Sequence, residues 1–214
     1  MHANLKVFGS SIVLLFLSCF SMISPALAQD SMQHYQIDPQ NSHFFVYTGS
    51  GGVFGAFGHK HKIAIPGITG QVNFDPKDPT KSTLDLKIDP MSLILVADSK
   101  AEKKDKAEIE TNMRAKVLEP AKFPGIEFRS TRISAISSVE GEYDAEIHGD
   151  LSFHGVSRNI PLKAKVKLGE DRLTAIGEFT LKQSDYQIQP VSAAGGTIKV
   201  KDEVRLTFEI ATRP

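Results

Sequence analysis

Residues 143–153 read YDAEIHGDLSF, and this stretch alternates between two kinds of side chain. Every second residue is apolar or small, and we call these the dry positions: Tyr143, Ala145, Ile147, Gly149, Leu151 and Phe153. The residues between them are Asp, Glu, His and Ser. Because successive side chains of a strand point to opposite faces, the pattern predicts a strand with one dry face and one wet face.

The same alternation continues on the C-terminal side of this stretch, through residues 160–168, 173–181 and 198–210. Antiparallel strands that are dry on one face only must enclose a common interior. We therefore predict an all-β fold with one helical insertion, in which an antiparallel barrel is built from about eight strands.

Further strands are predicted on the N-terminal side. Residues 69–75 and 83–89 form a plausible hairpin, because Asp and Pro fill the segment 75–79 between them. Residues 126–130 and 133–136 are predicted as two separate short strands.

Residues 99–118 interrupt the strand pattern with a helical one. The segment is rich in Ala, Glu and Lys and contains no Gly or Pro. Ser99 precedes Glu102 by three residues, which is the spacing of a capping box. The apolar residues form only a narrow stripe that could rest on the barrel: Ile109, Met113 and Val117. We predict a mostly solvated helix that closes one end of the barrel.

The first 28 residues are predicted to be a secretory signal peptide. Lys6 precedes a mostly apolar segment, 7–23, and Ala26-Leu27-Ala28 is a small-x-small cleavage site. The alternatives are a transmembrane anchor, for which the apolar run is short and broken by Gly and Ser, and lipidation at Cys19. The predicted domains are thus 1–28, the leader, and 29–214, one barrel domain.

Composition excludes several classes of protein. The chain has 25 basic and 25 acidic residues, so its balanced charge argues against electrostatic binding of nucleic acid. Cleavage of the leader removes Cys19, the only cysteine, so the mature protein must be stabilised by its core rather than by disulfides. The mature sequence contains no predicted transmembrane segment, and a homodimer is compatible with it.

The segment His59-Lys60-His61 is the best candidate for metal chemistry. Two histidines at this spacing share one face of an extended chain, but a third ligand would have to come from elsewhere. The simpler interpretation is a polar loop next to the glycine-rich segment 49–58, and we predict no metal and no cofactor. His148 and His154 are interpreted as surface histidines.

Sequence motifs of catalysis are missing from the chain. It contains no nucleophile elbow, no zincin helix and no CxxC pair, so we predict that it is not an enzyme. Asp202 interrupts the dry positions of 198–210. It is interpreted either as part of a bulge that turns its carboxylate outward, or as a polar anchor near a cavity mouth.

Four segments in this order resemble the YceI-like family of secreted bacterial proteins. They are 35–46 (YQIDPQNSHFFV), 123–131 (FPGIEFRST), 149–162 (GDLSFHGVSRNIPL) and 182–188 (KQSDYQI). The resemblance implies a lipocalin-like antiparallel barrel with a helical insertion. It also implies a periplasmic or secreted location, and a long apolar ligand such as a polyisoprenoid or another lipid.

These considerations give two functional hypotheses. The first is an exported carrier of a long-chain apolar or amphiphilic ligand, and the alternative is a metal- or redox-linked periplasmic protein that uses the segment His59-Lys60-His61. For the carrier, Phe54 and Phe57 are expected near the cavity mouth. The predicted ligand-binding wall consists of Ile126, Phe128, Ile147, Leu151, Phe153, Phe179, Leu206 and Phe208.

Sequence leaves open whether the barrel is hollow or packed solid by its own phenylalanines. Small residues at dry positions create space and favour a hollow interior: Ala145, Gly149, Ala164, Ala175 and Gly177.

Overall fold

The computed structural model describes residues 32–52, 60–97, 100–139, 141–193 and 197–214, which form mainly antiparallel strands. The strand ranges are β1 Gln33–Ile37, β2 His43–Tyr47, β3 Ser50–Gly51, β4 Lys62–Ala64, β5 Ile68–Phe74, β6 Thr83–Ile88, β7 Ile94–Val96, β8 Ile126–Val139, β9 Glu142–Phe153, β10 Val156–Leu168, β11 Leu173–Lys182, β12 Ser192–Ala193, β13 Ile198–Val200 and β14 Glu203–Arg213. In β9, the four fully buried residues, Ala145, Ile147, Gly149 and Leu151, all occupy dry positions that were identified by alternation.

Eight of these strands close into a barrel. The order is β1-β5-β6-β8-β9-β10-β11-β14, and β14 returns to β1 by pairing Arg213 with Gln36 and Thr212 with Ile37. Closure pairs both edges of the sheet and brings every dry face to one interior. The predicted barrel and the predicted hairpin of β5 with β6 are both confirmed.

The sheet branches at β14, because two parts of this strand pair with two different strands on the same side. One end of β14 pairs with β1, whereas its segment from Arg205 to Glu209 pairs with β2. Ser42, between β1 and β2, joins the two parts: its hydroxyl donates to the carbonyl of Ala211 and accepts from the N–H of the same residue. From β2 the wall continues through β4 to β7, which pairs only with β4 among the described strands.

A helix covers the open edge of β7. Helix α1 spans Lys100–Met113 and continues as a π-helical turn, Arg114–Leu118, that ends at Glu119 with φ of +40°. The carboxylate of Glu110 accepts the N–H of Leu95 at 2.9 Å. The guanidinium of Arg114 donates to the carbonyl of Leu93 at 3.3 Å. Side chains of the helix thus replace the missing neighbouring strand.

The predicted stripe of α1 is confirmed. Met113 is buried, and Ile109 and Val117 are half-buried against the core. The predicted cap at Ser99 lies outside the described residues. No helix in the described part of the chain has the length and apolarity to cross a bilayer.

Two local predictions need correction. Residues 126–139 form one strand rather than two, because bulges between Ser130 and Arg132 and between Ala135 and Ser137 shift the alternation without ending the pairing. The second correction concerns Asp202, which lies between β13 and β14 rather than inside one strand. Its carboxylate accepts the backbone N–H of Ser184 at 2.8 Å and the hydroxyl of Ser184 at 2.6 Å.

Candidate ligand cavity

The dry faces of the strands enclose a cavity of about 560 Å³ instead of a filled core. Its size lies within the range of small-molecule sites in proteins. All eight predicted wall residues that the structure describes line this cavity, from Ile126 and Phe128 on β8 to Leu206 and Phe208 on β14. Ile147, Leu151 and Phe153 on β9 and Phe179 on β11 complete the set. Phe54 and Phe57 lie outside the described residues.

Phenylalanine rings occupy the space next to two glycines of the barrel wall. A Cβ atom at Gly177 would lie 2.4 Å from the ring of Phe208, and one at Gly149 would lie 2.3 Å from the ring of Phe128. Each ring therefore packs against the backbone of a neighbouring strand. Gly149 and Gly177 therefore make room for these rings rather than directly for a ligand. This corrects the argument that small residues at these dry positions create the hollow interior. The centre of the barrel stays open because the rings lie at its wall.

Polar residues gather at the part of the cavity that α1 covers. Asp105, Glu108 and Asn112 project from α1, and Thr48 and His61 come from the ends of strands β2 and β4. Other polar lining residues lie around the small sheet of β3, β12 and β13: Ser50, Gln183, Ser192 and Lys199. A ligand with a polar head could place it among these groups and leave its tail in the apolar interior.

Sequence analysis did not identify this polar rim, although a signal existed. Phe44, Val46, Thr48 and Ser50 alternate along one face, and the last two are polar where the first two are apolar. That change from apolar to polar residues was the signal of a polar rim. On α1, the spacing of Asp105, Glu108 and Asn112 also places them on one face.

His154 is buried beside the cavity, which corrects its interpretation as a surface histidine. Its side chain is only 9 % exposed, and the ring lies 4.2 Å from that of Phe123. Nε2 lies 3.0 Å from a carboxylate oxygen of Glu119, and Nδ1 lies 3.1 Å from the carbonyl oxygen of Tyr186. The alternation of β9 ends at Phe153, and His154 adopts φ of +51° in the turn that follows. That turn directs the ring into the protein.

His154 therefore joins the end of the helical segment to the turn after β11. The pKa of the Glu119 carboxyl lies below its usual range, first because Lys122 donates a hydrogen bond to it and then because His154 does. Burial raises the pKa of the Tyr186 hydroxyl. The ring of Tyr186 lies 5.5 Å from that of Phe153, which lines the cavity.

Comparison with known proteins agrees with this architecture. The sequence profile of the YceI-like domain matches residues 35–212. The chain belongs to the YceI-like family. A UPF0312 protein of Pseudomonas syringae pv. tomato is 27% identical over 187 residues, which cover 82% of this chain and 84% of the relative. Protein YceI of Escherichia coli is 28% identical over 188 residues, which cover 82% and 85%.

Two solved structures share the fold. BcnA of Burkholderia cenocepacia superimposes with a TM-score of 0.64 at 17% identity, over 82% of this chain and 98% of BcnA. A polyisoprenoid binding domain from Saccharophagus degradans gives a TM-score of 0.60 at 16% identity, over 84% and 97%. At these identities the likeness establishes the barrel fold alone.

The metal hypothesis depends on two histidines, of which the structure describes only His61. Over the described ranges, no group of three or more His, Cys, Asp or Glu side chains is placed to hold a metal ion. His61 lines the cavity, whereas His59 lies outside the described residues. The metal-linked alternative therefore stays a prediction from sequence.

Proposed function

We propose that this YceI-like protein is an exported, non-catalytic carrier that holds a long-chain apolar or amphiphilic ligand inside its barrel. The observation that supports this proposal best is the cavity of about 560 Å³, whose wall is mainly apolar. The residues that line such a cavity lack van der Waals contacts that a filled core would give them, and a bound ligand would supply these contacts.

The energetics of a long tail fit this site. Each buried methylene group contributes about 0.8 kcal/mol, so a tail of about fifteen gains roughly 12 kcal/mol before costs. Association and ordering remove a large share of that gain, which leaves an expected affinity between about micromolar and nanomolar.

Two observations guide the choice of ligand. A protein of the same fold is described as a polyisoprenoid binding domain, which makes a polyisoprenoid the first ligand to test. The polar rim around Asp105, Asn112 and Lys199 favours an amphiphile over a pure hydrocarbon, because a polar head can hydrogen-bond to these side chains and to water there while the tail is buried. The ligand's tail would lie against the wall residues and its head at the rim.

The test combines extraction with binding. Mass spectrometry of an organic extract of natively purified protein should show a co-purified lipid. Isoprenoid and fatty-acyl probes should bind the delipidated protein at micromolar concentration or below.

A cavity-filling variant makes the binding test specific. Ala164 is buried and lines the cavity, so Ala164→Phe should weaken binding by about tenfold or more with a small change in melting temperature. Lys165→Phe, which places the same ring on the outer face of β10, should bind like wild type. If no lipid is extracted and no probe binds at high micromolar concentration, the carrier function is wrong.

A further inference from the structure

A second apolar space lies deeper in the barrel than the ligand cavity. It measures about 80 Å³ and is lined by residues such as Val72, Phe74, Tyr143 and Leu173. Two of these residues, Phe74 and Leu173, also form a separate buried cluster with Tyr35, and the ring of Phe74 meets that of Tyr143 edge to face at 5.6 Å. We call this space the lower void.

The lower void adjoins the ligand cavity through one layer of side chains. Along β9, the cavity is lined by Phe153 and Leu151 and the void by Ala145 and Tyr143, while Ile147 lines both. Three other strands of the barrel, β6, β11 and β14, show the same change at one residue each. The residues that line both spaces are Leu84 on β6, Ile147 on β9, Ala175 on β11 and Ile210 on β14. We call these four residues the partition.

All four residues of the partition are apolar, and two of them lie on neighbouring strands. Ala175 and Ile210 lie directly opposite each other in the register of β11 with β14. None of the four residues has a polar side chain, so the volume of apolar side chains separates the two spaces.

The lower void is suited to hydrocarbon rather than to water. The hydroxyl of Thr212 already accepts the N–H of Leu173 at 2.9 Å, and that of Ser82 accepts the N–H of Asp75 at 3.1 Å. A water molecule needs polar partners of its own, and these two hydroxyls are engaged with the backbone.

We infer that the partition sets the length of tail that the barrel accepts, and that the lower void is space beyond the normal end of the tail. This inference rests on the proposed function, because it assigns a role to the floor of the same cavity. The tail's terminal carbon lies on Leu84, Ile147, Ala175 and Ile210, and longer tails leave carbons outside the mouth.

The experiment measures affinity for a series of saturated n-alkanoic acids that differ by one carbon, with n-alkanols as a second series. In the wild type, affinity should rise about fourfold for each added methylene group and then level off. We call the chain length at which affinity stops rising the break. Ile147→Ala should move that break to longer chains, by at least as many carbons as the side chain loses. Ala175→Leu should move it to shorter chains, by about as many carbons as the side chain gains.

A matched control removes the same atoms elsewhere. Ile160 lines the ligand cavity but not the lower void, so Ile160→Ala should leave the break at its wild-type length. If Ile147→Ala does not fold, Ile210→Ala opens the partition from another strand.

The outcomes separate the two proposals. If no chain of any length binds wild type, the carrier function fails, and the length limit fails with it. If chains bind with a break that neither Ile147→Ala nor Ala175→Leu moves, or that Ile160→Ala moves equally, the partition does not set the length and the carrier function stands.

Discussion

Two glycines determine where the largest rings of the barrel wall can lie. At Gly177, an added Cβ would meet the carbonyl oxygen of Lys163 at 2.3 Å as well as the ring of Phe208 at 2.4 Å. The ring of Phe208 also stacks on that of Phe44, at 5.6 Å between centroids. Displacing Phe208 would therefore disturb Phe44 and push atoms into the cavity.

The first prediction concerns this contact. Gly177→Ala should destabilise the protein by about 1–3 kcal/mol, because overpacking forces side chains and backbone to shift. For a chain of this size, thermal denaturation should register a fall of roughly 2–4 °C per kcal/mol. Gly125→Ala is the matched control, since no atom lies within 4 Å of its added Cβ. A wild-type melting temperature for Gly177→Ala would show that the ring moves aside without cost.

A second prediction concerns pH. The pKa of the Asp202 carboxyl lies below its ordinary value of 3.8, first because of the hydrogen bond from the Ser184 side chain and then because of that from the Ser184 backbone. A lowered pKa in the folded state means that ionised Asp202 stabilises the fold above the ordinary value, and that this contribution is lost as pH falls through the folded-state value.

Ser184→Ala removes one of these bonds, so it should raise the pKa of Asp202 and lower stability at neutral pH. The difference in stability between wild type and variant should shrink as pH falls below 3.8. NMR titration of the carboxyl and denaturant unfolding at several pH values measure both effects. Ser157→Ala, an exposed strand position, serves as control. A pKa for Asp202 that does not change in Ser184→Ala would contradict the assignment.

At the scale of elements, α1 serves as the neighbour of an unpaired strand edge. Glu110 is central, because one of its carboxylate oxygens holds the Leu95 N–H and the other lies 3.7 Å from the Arg114 guanidinium. These polar contacts attach α1 to the edge of β7, in addition to the apolar stripe that packs on the core.

The third prediction follows from this attachment. Glu110→Ala leaves the Leu95 N–H without its acceptor, which costs about 1–3 kcal/mol for a buried donor. Hydrogen exchange at Leu95 and along α1 should accelerate, and a bound lipid probe should dissociate faster. Lys104→Ala, on the exposed face of α1, should change neither rate. Unchanged exchange at Leu95 would mean that α1 is held by its apolar stripe alone.

Sequence alone predicts those elements that are determined by the spacing of apolar residues within one short segment. The stripe of Ile109, Met113 and Val117 located α1, and alternation located the wall residues that line the cavity. The division of the wall at β14 was not predicted, because pairing of β1 and β2 with one strand is a long-range choice of register. His154 was missed because its backbone leaves the period of two with a positive φ, which only the fold reveals.

At the scale of the whole molecule, β1 is the strand that completes the barrel. It pairs with β5 on one side and with β14 on the other, and residues 31–214 form one compact unit. The predicted leader, 1–28, precedes that unit and the matched family region. Cleavage after Ala28 should therefore take nothing from the barrel.

The last prediction tests closure and leader together. N-terminal sequencing of the exported protein should begin at Gln29, and a chain produced from Gln29 should fold with a cooperative thermal transition. A chain produced from Pro39 lacks β1, so β5 and β14 each lose a partner, and Phe74 and Leu173 lose Tyr35 from their buried cluster. Since unpaired edges expose backbone groups and invite aggregation, this shorter chain should fail to fold or should aggregate. Equal melting temperatures of the two chains would show that the barrel does not depend on closure through β1. An exported protein that begins at Cys19 would show that the leader is processed as a lipoprotein signal.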